Sequence, residues 1–216
     1  DLLSQAEVLV YAGSLVNPEL VARSNARIRI DSWGKTLEEI VPLMVQEARK
    51  GALVVRLHSG DPALYGAIVE QMQLLEEAGI TCEVVPGVSS LFAASAALGT
   101  QLTLGGISDT LIVTRPAGKT LERDEIPALS AHTATMVFFL GSDRLEEITG
   151  KLQCPPQTPA AVVYHASWPD QKIVRGTVET IAARAAAAGI TRSALLIVGG
   201  VLDPSGSGHR RSVLYS

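Results

Sequence analysis

Residues 54–66, V-V-R-L-H-S-G-D-P-A-L-Y-G, and residues 84–90, V-V-P-G-V-S-S, constrain this chain more than any other feature. In each, an apolar run stops at a turn of Gly, Pro, Asp or Ser and then gives way to a helical pattern. Such a strand–loop–helix unit aims backbone amides and small side chains at a ligand beyond the carboxyl edge of a parallel sheet. Two of them in consecutive units point to one shared pocket. Gly60 lets the backbone approach a ligand closely, and Pro62 fits the first turn of a helix. Asp61 then stands either as an N-cap or as an acceptor for a ligand amine or hydroxyl, and Ser89 takes the cap position in the second unit.

Neither loop is a phosphate cradle of the usual kind. The chain contains no G-x-x-x-x-G-K-[ST] and no G-x-G-x-x-G. Nucleoside triphosphates and dinucleotides are thereby disfavoured. An adenosyl ligand without phosphate fits better, because it needs hydrogen bonds and apolar walls more than anion-binding amides.

Composition narrows the classes further. The net charge is −4 with no Lys/Arg-rich run, so an extended nucleic-acid footprint is not expected. No apolar stretch approaches the ~20 residues that cross a bilayer, so no membrane partner is expected; nor does the amino end read as a basic-then-apolar signal segment. Cys82 and Cys154 show no metal-ligand spacing and read as two buried thiols in a reducing cytoplasm. No H-E-x-x-H or G-x-S-x-G occurs, so neither a metal site nor a nucleophile elbow is expected. His58 and His165, each at a strand end, read as structural histidines.

Strand-like and helix-like segments alternate, the pattern of an α/β fold. Strands are expected at 8–12, 27–31, 52–57, 82–85, 111–114, 135–140, 160–164, 173–174 and 194–198. Helices are expected from Asn17-Pro18, and over 36–50, 64–78, 89–98, 142–152 and 178–188. The glycine-containing stretch 99–109 is the hinge candidate, which predicts domains 1–108 and 109–216 with a ligand cleft between them.

Four stretches then carry a family resemblance: V-Y-A-G-S-L-V-N (10–17), R-L-H-S-G-D-P-A-L-Y-G (56–66), V-P-G-V-S-S-L-F-A-A (85–94) and V-V-Y-H-A-S-W-P-D-Q-K-I-V-R-G (162–176). Together with V-G-G-V-L-D-P (198–204) they resemble the tetrapyrrole methylases, enzymes that use S-adenosylmethionine on precorrin-type macrocycles. The first and last stretches are similar to the members acting on C11 of precorrin-4. The resemblance implies donor contacts at Ser59, Gly60, Asp61, Leu64, Ser89, Ser90, Leu140, Ala166 and Ala194. It places Tyr11 and Ser14 beside the substrate, and Arg115 as an anchor for a substrate carboxylate. It also implies a homodimer and, upstream of Asp1, a strand with a G-x-G-P-G-D turn. No general base is identified, and whether the substrate carries cobalt is left open.

Relatives that methylate uroporphyrinogen III have an aspartate where this chain has Ala12, and a lysine near Asp31-Ser32-Trp33-Gly34, which weakens that reading. A ribosomal-RNA or diphthine-type methylase shares the loops, but the acidic balance and the stretch 10–17 speak against both. A non-catalytic adenosine-ligand sensor and an oxidoreductase domain stand as readings from other classes.

Overall fold

The structure, a computed structural model, describes residues 2–13, 15–119, 121–208 and 210. It separates into two compact units, Asp1–Ser90 and Leu91–Ser216.

In the first unit the order is α1 (Leu2–Gln5), β1 (Val8–Tyr11), α2 (Pro18–Ala22), β2 (Ile28–Asp31), α3 (Leu37–Arg49), β3 (Val54–Leu57) and α4 (Ile68–Glu77). The strands form an all-parallel sheet in the order β2-β1-β3, with Tyr11 level with Asp31 on one side and Leu57 on the other. Central β1 is apolar because both of its faces are covered. Val8 and Val10 pack on Ile40, Val41 and Met44 of α3 and Leu75 of α4, while Leu9 packs with Ala6 and Ala26 on the other face. Burying each such valine or leucine contributes about 1.5–3 kcal/mol relative to exposure. Two of the helix starts read from the sequence carry their caps: the Asn17 side chain accepts from the Glu19 N–H, and Glu39 accepts from the Thr36 N–H.

Two expectations fail here. Cys82–Val85 pairs with no strand among the described residues, and Val84 and Val85 are exposed. A β-branched run can be read locally, but a ladder requires an edge to pair with. Second, α4 starts at Ile68 rather than Leu64. A Cβ on Gly66 would lie 2.1 Å from the Pro62 carbonyl oxygen, and Tyr65 and Ala67 adopt left-handed φ values of 59° and 49°. Residues 62–67 therefore form a tight non-helical knuckle.

In the second unit the order is α5 (Ser90–Leu98, whose first residue belongs to the first unit), β4 (Leu111–Thr114), α6 (Ile126–Ser130), β5 (Thr135–Phe138), α7 (Leu145–Lys151), β6 (Pro159–Tyr164), β7 (Lys172–Thr177), α8 (Ile181–Ala187), β8 (Ala194–Val198) and α9 (Pro204–Ser207). The sheet runs β4-β5-β8-β6-β7 and is mixed: only β4 and β5 are parallel neighbours. Every residue of β8 is buried, and Ile126, Ile148 and Ile181 fill one face of the core. The units divide at Ser90/Leu91, upstream of the expected boundary near 108. Hydrogen bonds from Arg175 to the Leu98 carbonyl (2.7 Å) and from Thr100 to the Val201 carbonyl (2.7 Å) tie this stretch to the second unit.

Candidate functional site

The two glycine-containing loops of the first unit are pressed together at the carboxyl edge of its sheet. A Cβ on Gly87 would stand 2.2 Å from the Gly60 carbonyl oxygen, and one on Gly60 would stand 3.3 Å from the Ser90 nitrogen. Gly60 also has φ 69°, a conformation that side chains resist. Asp61 joins the loops. Its Oδ1 accepts from the Ala63 N–H at 2.8 Å and its Oδ2 from the Gly87 N–H at 2.9 Å. These two amides, Gly87 foremost, hold the Asp61 carboxyl below its usual pKa. Asp61 thus caps a turn and staples two loops; it is not the N-cap of α4, a position held by Ala67. Ser89 is buried at 7% exposure, Ser90 is exposed at the start of α5, and Leu64 is half-buried in the knuckle. Ser59, Gly60, Asp61, Leu64, Ser89 and Ser90 therefore belong to one loop assembly.

Beside them lie two charged groups to which sequence reasoning assigned no role, Asp31 and Arg56. Asp31, at the end of β2, accepts from the Trp33 N–H (2.9 Å) and the Gly13 N–H (3.0 Å), and these bonds lower its pKa. Arg56 projects from β3 with Nε on the Gln71 side chain at 3.2 Å, while its buried Nη1 has no partner among the described residues. Burial pulls the Arg56 pKa down, and the Asp31 charge partly opposes that. A cation inside an otherwise apolar strand was the available signal. Burial, and then the Arg56 charge, lower the His58 pKa and keep that ring neutral at pH 7. Tyr11 ends β1, packs against the Leu9 cluster, and accepts the Ser32 N–H on its carbonyl at 2.7 Å. Ser14 lies outside the described residues.

In the second unit, strand direction does the gathering. β4, β5 and β6 end, and β8 begins, on one edge of the sheet: Thr114 is level with Phe138, Phe138 with Leu196, and Tyr164 with Ala194. Arg115, Leu140, Ala166 and Ala194 all sit at that edge. Leu140 is 60% exposed with φ 54°, so β5 stops at Phe138 instead of reaching the expected residue 140. His165 (φ 47°) and Ser167 (φ 72°) flank Ala166, and Ser193 (φ 54°) precedes Ala194. With Tyr65 and Ala67, these are the six left-handed non-glycine residues among those described; Leu140 is itself a candidate position, and each of the others except Ala67 adjoins one. Such conformations cost roughly 1–3 kcal/mol each and persist where the surroundings impose them, often at binding sites. Among the described residues no group of three or more His, Cys, Asp or Glu could hold a metal ion, and no helix is long and apolar enough to cross a membrane.

A mixed α/β architecture with two stapled glycine-containing loops at a parallel edge and no phosphate motif fits an α/β class that binds small molecules at its strand ends. Residues 1–182 match the family model for Tetrapyrrole (Corrin/Porphyrin) Methylases, and the chain belongs to that family. It is 47% identical to a cobalt-precorrin-4 C(11)-methyltransferase of Methanocaldococcus jannaschii, over 94% of this chain and 80% of the relative. A crystal structure of a cobalt precorrin-4 methyltransferase, a cobalamin biosynthetic enzyme, superposes with TM-score 0.90 at 42% identity, covering 94% of this chain and 87% of the other. A uroporphyrin-III C-methyl transferase from Thermus thermophilus, complexed with S-adenosylhomocysteine, gives TM-score 0.78 at 28% identity, covering 93% and 89%.

Proposed function

We propose that this chain transfers a methyl group from S-adenosylmethionine to C11 of precorrin-4 or its cobalt form, in cobalamin biosynthesis. The observation that carries the reading is the stapled loop pair of the first unit. It supports the reading because it offers backbone and small polar groups for hydrogen bonds to a folded adenosyl sulfonium and carries no phosphate motif. Ser59, Gly60, Asp61, Leu64, Ser89 and Ser90 are the proposed donor contacts of that unit, and Leu140, Ala166 and Ala194 those of the second. Tyr11, Ser14 and Arg115 are the proposed substrate contacts. Ala12, in place of the aspartate of uroporphyrinogen methylators, supports the C11 reading. Homodimerisation and a cytoplasmic location belong to the same proposal.

The chemistry asks for positioning more than for functional groups. An electron-rich ring carbon attacks the methyl in line with the departing sulfur. Holding the two in near-attack geometry can lower the barrier by ~7–11 kcal/mol. Excluding water protects the reduced macrocycle during the step. Incubation with precorrin-4 and methyl-labelled donor, followed by NMR location of the added carbon, should place the label at C11. Label on another ring carbon, or no S-adenosylhomocysteine binding by calorimetry, would overturn the proposal.

A further inference from the structure

The loop leaving β6 holds a charge-bearing arrangement that the donor and substrate contacts do not use. His165 Nδ1 lies 2.9 and 3.0 Å from the two carboxylate oxygens of Asp170. That contact lowers the Asp170 pKa, so the carboxylate is ionised and requires Nδ1 to be the protonated ring nitrogen. Nε2 is the ring nitrogen turned away from that carboxylate. It has no hydrogen-bond partner among the described residues, and it is not among the buried polar atoms that lack one, so it remains reachable. The ring is also fixed in direction. It stacks on Tyr164 with centroids 3.7 Å apart and 15° between planes, and meets Trp168 at 4.5 Å. Its side chain is 17% exposed.

The backbone supports the same point. His165 and Ser167 both hold left-handed conformations around Ala166. Two short tethers pin the loop: the His165 N–H reaches the Ser193 carbonyl at 3.3 Å, and the Ser167 N–H reaches the Gln171 side chain at 2.8 Å. A histidine needed only for packing requires neither an ionised orienter nor a strained backbone. A histidine that must present one nitrogen at a fixed place uses both.

We propose that His165, oriented by Asp170, accepts the proton that the tetrapyrrole releases during methyl transfer; this rests on the methyl-transfer reading above. A π pair of the ring carbon forms the new C–C bond, and the S–CH3 pair returns to sulfur, which leaves as a neutral thioether. The positive charge passes to the macrocycle. A ring N–H then gives its proton to Nε2, its electron pair re-enters the π system, and the imidazolium is stabilised by Asp170. The other groups around the ring are Tyr164 and Trp168, Lys172 opposite Tyr164 on β7, and the non-titrating Ser193 and Ala194.

His165→Asn is the informative variant, because asparagine tolerates the left-handed conformation and cannot take a proton. Its S-adenosylhomocysteine affinity should stay within about two-fold of wild type, while turnover falls about 10²-fold or more and loses its acid limb. His165→Gly should regain turnover with added imidazole. In the unliganded wild type, imidazole ¹⁵N NMR should show a protonated Nδ1 and a bare Nε2. Turnover of His165→Asn near the wild-type rate with its acid limb intact, or a proton on Nε2, would overturn the assignment. A wild-type protein that methylates no tetrapyrrole sinks the underlying reading, whereas the NMR measurement tests the dyad without substrate.

Discussion

Replacing Gly87 by alanine puts a methyl carbon 2.2 Å from the Gly60 carbonyl oxygen, about 1.2 Å inside the 3.4 Å at which ordinary contact begins. The obstacle is backbone, so no side chain can swing away; the loops must part. Overpacking of this kind costs about 1–3 kcal/mol, which for a chain of this size lowers Tm by roughly 2–4 °C per kcal/mol. Separation also stretches the Gly87 N–H from the Asp61 carboxylate and moves Gly60 away from Ser89 and Ser90. Donor affinity should therefore fall at least ten-fold, a larger effect than the stability loss alone would cause. Urea unfolding and calorimetry with S-adenosylhomocysteine read the two effects separately. Gly79→Ala is the control: Gly79 has φ 76° but open space around its Cβ, so about 1 kcal/mol of stability goes and affinity stays. Wild-type stability and affinity in Gly87→Ala would refute the reasoning.

Asp61 has a folded pKa below its ordinary value, so its contribution is complete above that ordinary range and is lost as pH falls through the folded pKa. Donor affinity should thus be flat from about pH 5 to 8 and drop below about pH 4; Asp61→Asn should bind more weakly at pH 7 and show no such drop in calorimetry. Leu140→Asn relieves the left-handed strain of an exposed side chain, so the unfolding midpoint should hold or rise while donor affinity falls several-fold. Lys151→Met leaves the Asp124 carboxylate, 4% exposed, with backbone partners only. Stability should drop by about 1–3 kcal/mol in urea titrations, with donor affinity unchanged.

Local rules carried much of the fold. The capped starts at Asn17 and Thr36, the apolar stripe of α3 and the β-branched strands β1, β3 and β8 all follow from near-neighbour chemistry. What escaped depends on partners distant in sequence. Cys82–Val85 has a strand's composition but pairs with no strand among the described residues, and β7, read only at 173–174, extends over six residues because β6 lies beside it. The loop pair at Ser59–Asp61 and Ser89–Ser90 was legible as two turns, whereas the Asp61 staple across them was not. Left-handed leucine, histidine and serine leave no compositional trace, since only glycine announces that freedom. For the same reason His165 and Asp170, five residues apart on no regular element, gave no sign that they would face each other.

The place of β8 in its sheet has a consequence during synthesis. Of the described strands, the last to be made is the middle one of its sheet, inserted between β5 and β6. Until residues 194–198 clear the ribosome, both of those neighbours show a bare, apolar edge able to pair with another nascent chain. Slowing the release of residues 194–198 from the ribosome should therefore cost soluble yield.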